Sequence, residues 1–466
     1  MNKETNTIIK MLKTTGIFFI GTVLSKLMLF FLLPIYTKYI PTADFGYYDL
    51  SITYVAIVTS VLFFDIWVSI MRHMYDKADI KWKNKAILSG GTIFVVSSII
   101  YIALTVVLGV IADIQYLLLI SLYGFSLNIN HMYTFPARGF GKNIEFAVSG
   151  IINTLVTIIV NIILIVGLKW DFSSLYIASI MGNLAQTLYL EYRLSLFRNL
   201  HWRDYDSILT KQILIYTLPL CINSVAYWFL TGYNRLVINE IMSTSANGIY
   251  AIGNKFAVAI TLVASCFTLA WQDVSFSRGI DTGEFYSKAS RLYLIFMGVG
   301  TILLIPTFNI LFPFIVNEAY WLAKGTIPLF LLTTAISTYS IFIGNIFYAI
   351  KDTKTIFSSM VASCTLNLVL CHTFIRLWGL NGANLSIMLS FILNILIRYF
   401  ILKKKINFSF DIKSTAVLIV GICASMFIYE NYTILVNMAW LIASGVGVLL
   451  IFRKDVSMVY KSVVRK

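Results

Sequence analysis

Ile17-Phe18-Phe19-Ile20-Gly21-Thr22-Val23-Leu24-Ser25-Lys26-Leu27-Met28-Leu29-Phe30-Phe31-Leu32-Leu33-Pro34 is the stretch that decides the fold. It carries one charge, Lys26, and no alternation of polar and apolar residues. A membrane β-strand would show about 10 residues of alternating polarity. A run of this length without alternation reads as a helix, in which each backbone N–H and C=O is bonded inside the segment. Thirteen further stretches read the same way: 46–70, 86–111, 115–137, 145–167, 173–195, 212–233, 245–272, 286–312, 325–349, 355–375, 380–402, 413–430 and 435–452. With 14–36 they make fourteen spans. At roughly 20 residues each they consume about 280 residues of the 466.

The composition agrees: 59% hydrophobic, 12% charged, mean hydropathy +0.82. Soluble domains carry about 25% charged residues. A soluble enzyme, a coiled coil and a disordered chain are excluded, and little remains for a folded domain outside the membrane. The reading is an all-α integral membrane protein of about 14 transmembrane helices. The first span is too long for a cleavable signal peptide and no small-residue cleavage site follows it.

The net charge of +15 is a topology signal. With the N-terminus in the cytoplasm and sides alternating, 29 of the 36 Lys and Arg fall in cytoplasmic segments. Outside lie only Lys38, Lys169, Arg235, Lys324 and Arg376. The positive-inside rule therefore predicts both termini in the cytoplasm. Spread over eight short pieces, the basic residues suit anionic lipid contact, not nucleic acid.

Basic connectors after spans six and twelve divide the chain into a six-helix half, 1–197, a second, 198–405, and two extra helices with a cytoplasmic tail, 406–466. Gly46 and Gly248 lie 202 positions apart, and so do Tyr48 and Tyr250. Pro34 and Pro219 fall in the spans preceding each pair. Both members of a pair cross in the same direction, so the halves read as a parallel pseudo-repeat.

Polar residues in oil are candidates for function. A charge at mid-membrane costs about 2.5–3.5 kcal/mol or more. Lys26 and Lys255 are the two cations inside spans, and both read as lining a cavity. Arg235 and Arg291 sit near span ends, where an interface anchor is the competing reading. Asp65 is a candidate for proton or cation coupling, with a helix-end role as the alternative. Polar stripes run at helical spacing: Thr217, Cys221, Ser224, Trp228, Thr231 and Arg235 in span seven; Asn254, Thr261, Ser265, Thr268 and Gln272 in span eight; Ser121, Gly124, Asn128 and His131 in span four. Helix packing explains their small and hydroxyl members. A wet cavity also explains Asn128, His131, Ser224, Asn254 and Gln272. All five cysteines lie within spans and the four histidines are scattered, so no metal site, disulfide or cofactor is expected.

Gly21-Thr22-Val23-Leu24-Ser25-Lys26, Leu33-Pro34, Phe45-Gly46-Tyr47-Tyr48-Asp49-Leu50 and Ser69-Ile70-Met71-Arg72 together resemble the start of bacterial polysaccharide-biosynthesis flippases (Wzx-type O-antigen and capsule transporters). Leu218-Pro219, Tyr233-Asn234-Arg235-Leu236-Val237-Ile238 and Gly248-Ile249-Tyr250-Ala251 continue it. Asn234 departs from the Asp frequent in that family. The lipid II flippase of the same superfamily has Ser-Arg where Ser25-Lys26 stands. The resemblance implies an alternating-access flippase of the bacterial plasma (inner) membrane, not an enzyme. It would move undecaprenyl-diphosphate-linked oligosaccharide of O-antigen, lipopolysaccharide or capsule, with ion antiport open. Polymerase and chain-length proteins of the same pathway are the partners it implies. A multidrug and toxin extrusion-type cation antiporter, or a membrane glycan polymerase, are the alternatives. Lysines in the spans suit cationic drugs poorly, and the short external loops leave little room for a polymerase's catalytic groups.

Overall fold

The computed structural model describes residues 30–77, 79–201, 204–278, 283–350 and 352–453, without the side chains of 263, 266–278, 348, 349 and 353. The helices are α1 (Leu33–Tyr39), α2 (Thr42–Phe63), α3 (Ile66–Met74), α4 (Ile80–Ile111), α5 (Leu117–Gly139), α6 (Asn143–Asn161), α7 (Ser173–Leu194), α8 (Ser207–Thr231), α9 (Tyr233–Ile241), α10 (Thr244–Arg278), α11 (Gly283–Ile315), α12 (Ile327–Ala349), α13 (Thr353–Ile406), α14 (Ile412–Asn431) and α15 (Ile434–Ile451). A π-helical turn, Ile162–Gly167, closes α6, and a 3-10 segment, Glu318–Thr326, precedes α12.

Nine helical stretches among the described residues are long and apolar enough to cross a membrane. One of them holds two spans. Gly379 leaves helical geometry at φ 57° and ψ −137°, dividing α13 where spans eleven and twelve were expected to separate. Residues 31–32 form a turn before α1, and Pro34 stands in the first turn of that helix, where its missing N–H costs nothing. The second expected span is two helices, α2 and α3, because Phe64 and Asp65 adopt left-handed φ values of 54° and 50°. Neither is glycine, so the break costs about 1–3 kcal/mol per residue and packing must hold it.

Carboxylates start several helices. Asp79, Asp206, Asp352 and Asp411 accept backbone N–H bonds at the first turns of α4, α8, α13 and α14. Each satisfies orphan donors and places negative charge at the positive end of a helix.

The chain forms two compact units, Met1–Arg235 and Leu236–Lys466. In the first, Phe63, Ile66, Trp67, Ile70 and Met74 pack with Ala86, Ile87, Tyr101, Met132, Leu209 and Ile213, joining α2 and α3 to α4, α5 and α8. Gly124 of α5 permits close approach of α4, since a Cβ there would collide with the Tyr101 hydroxyl. In the second, Phe256 of α10 meets Phe308 and Phe312 of α11 at ring separations of 5.0 and 5.7 Å. Tyr293 stacks on Phe342 at 4.6 Å. In oil such packing, with hydrogen bonds, replaces the water-driven term as the source of helix association.

Candidate functional site

Four residues of the α8 stripe meet α2 or the α2–α3 break, while Thr217 and Thr231 donate to carbonyls of their own helix. Cys221 Sγ donates to the Ser60 carbonyl at 3.4 Å and Ser224 Oγ to Asp65 Oδ2 at 2.6 Å. Trp228 Nε1 donates to the Thr53 carbonyl at 2.8 Å. Just beyond α8, Arg235 Nε meets Asp49 Oδ2 at 2.6 Å, with side chains 15% and 9% exposed. The spacing that gave these residues one face has put that face against an antiparallel neighbour. Ser224 and Asp65 are thereby brought together, with the Asp65 carboxylate at the start of α3.

The stripe of α5 is packed inside the first unit, with Asn128 turned back onto its own helix. Asn128 Nδ2 donates to the Gly124 carbonyl of its own helix at 2.9 Å, and the side chain is fully buried. The half-buried His131 ring lies 4.6 Å from Trp67, two residues past Asp65.

Ile252, Phe256, Ala257 and Ile260 are buried, while Asn254, Lys255, Thr261 and Ser265 are half-buried. Thr261 and Ser265 donate to carbonyls of their own helix, at 3.4 and 2.8 Å. The polar face is therefore turned away from the packed face of α10. Lys255 stands about 17 Å along the helix from Thr244 at 1.5 Å per residue, too deep for an end-of-helix position. Lys26 and the Gln272 side chain lie outside the described residues.

Arg291 stands in the third turn of α11. Its Nε meets Asp411 Oδ2 at 2.6 Å and Ser414 Oγ at 3.5 Å, beside the α13–α14 connector. Asp411, already bonded to the Ser414 hydroxyl and backbone, has its carboxyl pulled below the ordinary range, with Arg291 adding to the effect.

Two buried networks escaped the sequence reading. In the first unit, Gln186 of α7 accepts from Asn130 of α5 and Asn153 of α6, both at 3.0 Å, and donates to Ser149 Oγ at 3.0 Å. Asn183 extends it to Asn153 and Ser126. In the second, Arg398 of α13, 3% exposed, donates to Ser359 Oγ at 3.0 Å and to the Ser340 carbonyl of α12 at 2.7 Å. Asn394 joins the same two serines. Arg398 had counted among the topology charges. The available signal was its place inside an apolar helix, four residues from the buried amide of Asn394.

A family model described as "Polysaccharide biosynthesis protein" matches residues 11–271. No curated protein matches the chain. Among solved structures, the lipid II flippase MurJ in an inward closed conformation is similar with a TM-score of 0.73 at 16% identity, over 94% of this chain and 99% of that one. A multidrug resistance MATE family transporter of the MOP superfamily, inward-facing, has a TM-score of 0.61 at 14% identity, over 86% and 98%. The outward-facing MATE structure has a TM-score of 0.56 at 14% identity, over 85% and 95%. At these identities the likeness is one of fold, that of multi-pass membrane transporters and flippases. With more than half of its length matched by the family model, the chain belongs to the polysaccharide biosynthesis protein family.

Proposed function

We infer that this protein is a flippase that carries undecaprenyl-diphosphate-linked oligosaccharide, a repeat unit of O-antigen, capsule or another surface polysaccharide, across the bacterial plasma membrane. The observation that carries this reading is Lys255, deep in α10, on a polar face turned away from that helix's packed side, in a chain of this family. Lys255 and Lys26 take the diphosphate. Asn254, Thr261 and Ser265 accept the hydroxyl groups of sugars, and the lipid tail stays in the hydrocarbon. A diphosphate cannot enter oil unaccompanied, so cations within spans suit it where carboxylates would suit a cationic drug. That contrast disfavours a drug exporter, although the MATE fold is shared.

The motion we propose is alternating access, with the turn before Pro34 as a bending point. Both termini face the cytoplasm, as the distribution of Lys and Arg supports. An interior-negative potential favours outward movement of anions by about 2.3 kcal/mol per charge per 100 mV. Asp65, bonded to Ser224 beside a helix break, is the group we assign to any ion coupling. Arg235 and Arg291 reach substrate only by exchanging Asp49 and Asp411 for it.

The test is export in a deletion strain complemented with Lys255→Ala, Lys26→Ala and the double variant, at matched expression. Accumulation of lipid-linked oligosaccharide on the cytoplasmic side is expected, greatest in the double variant. Wild-type export from the double variant would reject the lysine assignment.

A further inference from the structure

Away from the α10 face, the second unit holds a cavity of about 860 Å³ between the first turns of α11 and the connector from α13 to α14. Three cations line it: Lys288, Arg291 and Lys405. Two acids, Glu284 and Asp411, line it as well, and each of the three cations has a carboxylate partner: Glu284, Asp411 and, outside the lining, Asp352. Its apolar lining includes Ile406 and the half-buried Phe410, whose ring packs against Tyr339 and Tyr399 at 6.3 and 6.1 Å. Polar lining is completed by Ser287, which accepts from the Ser409 backbone at 2.9 Å and fixes the connector to α11.

The carboxylates near these cations are committed to helix starts. Asp411 caps α14 through Ser414, and Asp352, which meets Lys405 Nζ at 2.5 Å, caps α13 through Thr355. The Lys288–Glu284 pair, at 2.7 Å, has both side chains 74% exposed. Such surface pairs contribute little and exchange readily with other anions. An ammonium carries three donors, so each lysine can keep a carboxylate and still bond a phosphate. The cavity lies where α11 and α14 begin and α13 ends, and the ends of membrane-spanning helices are where lipid headgroups are met. Cations beside apolar side chains match a molecule with a phosphate on one side and hydrocarbon on the other.

We propose that this cavity binds the phosphate of an anionic phospholipid, with its glycerol and upper acyl carbons on Ile406 and Phe410. It is a binding site separate from Lys255, and it stands whether or not the transported substrate is the one proposed above. Lys288 and Lys405 are the phosphate contacts, and Arg291 with Asp411 fixes the wall.

The full chain, purified in neutral detergent, would be titrated with phosphatidylglycerol, phosphatidylcholine or inorganic phosphate, following the melting temperature. Phosphatidylglycerol should raise it with saturation; the other two should not. Lys288→Ala with Lys405→Ala should weaken the apparent affinity by about fivefold per lysine, from the pull of one cation near an anionic surface. Should the double variant fold poorly, Lys288→Glu, on a side chain mostly in solvent, is expected to weaken it at least as much as one alanine. An equal effect of phosphatidylcholine, an effect of phosphate alone, or unchanged affinity in the folded variants would overturn the proposal.

Discussion

The α5–α6–α7 layer of the first unit and the α12–α13 layer of the second answer the same packing problem with different residues. α5 and α12 are both 23 residues long and start 210 positions apart. α6 and α13 also start 210 apart. In this register Asn130 corresponds to Ser340, and Ser149 to Ser359. The group that bridges them is Gln186 in one layer and Arg398 in the other, 212 positions apart. A neutral amide both gives and takes in the first unit; a guanidinium only gives in the second, and the Ser340 carbonyl and Ser359 hydroxyl supply the acceptors. What the repeat preserves is a position and its hydrogen bonds, while residue identity is free to change.

The largest effect should come from removing the charged bridge. Arg398→Leu is expected to cost about 3 kcal/mol, the scale of buried hydrogen bonds to a charged group, read as a lowered melting temperature in detergent. Arg398→Gln, which installs the residue of the other layer, should recover about half of that. Equal loss in the two variants would break the equivalence. Next comes the Asp49–Arg235 pair. Asp49 lies 202 positions before Ala251, so Asp49→Ala makes the first unit resemble the second there. A cost of about 2 kcal/mol is expected, the scale of a hydrogen bond to a charged group, and because the pair is largely buried Asp49→Ala combined with Arg235→Leu should cost less than Asp49→Ala alone. Gln186→Leu should cost about 1 kcal/mol, since Asn130 and Asn153 each keep a second bond to Asn183.

The smallest effect concerns pH at the edge of the second layer. Folding holds the Asp411 carboxyl below its ordinary value, chiefly through the Ser414 hydroxyl and also through Arg291. Its contribution is complete above the unfolded value near 4 and is lost as pH falls through the folded value. The stability difference between the wild type and Asp411→Asn should therefore be constant at neutral pH and shrink only below about pH 4. A difference independent of pH would show that the carboxylate's charge is not what matters.

The helical spans were legible in the sequence because hydrocarbon demands long apolar runs, and Gly379 fell where two such runs met. The Phe64–Asp65 break was not legible. It has no proline or glycine, and the bond from Ser224, 159 residues away, helps to hold it. The Gly46–Gly248 and Tyr48–Tyr250 pairs betrayed the repeat at helix starts, where turn geometry and close packing select particular residues. The amide and arginine networks did not, since Asn130 and Ser340 share only a position. The stripe of α8 was legible as one face, but spacing alone could not say whether that face meets water or a neighbouring helix. Contacts to α2 and to the α2–α3 break show the latter for Cys221, Ser224 and Trp228.

Movement of a lipid-linked oligosaccharide can be followed with the purified chain in sealed vesicles. Fluorescent undecaprenyl-diphosphate-linked oligosaccharide placed in the inner leaflet should become accessible outside at a rate that depends on the protein and falls sharply with Lys255→Ala. If the oligosaccharide stays where it was placed while the same vesicles move cationic drugs, the account is wrong and the chain is an exporter of another kind.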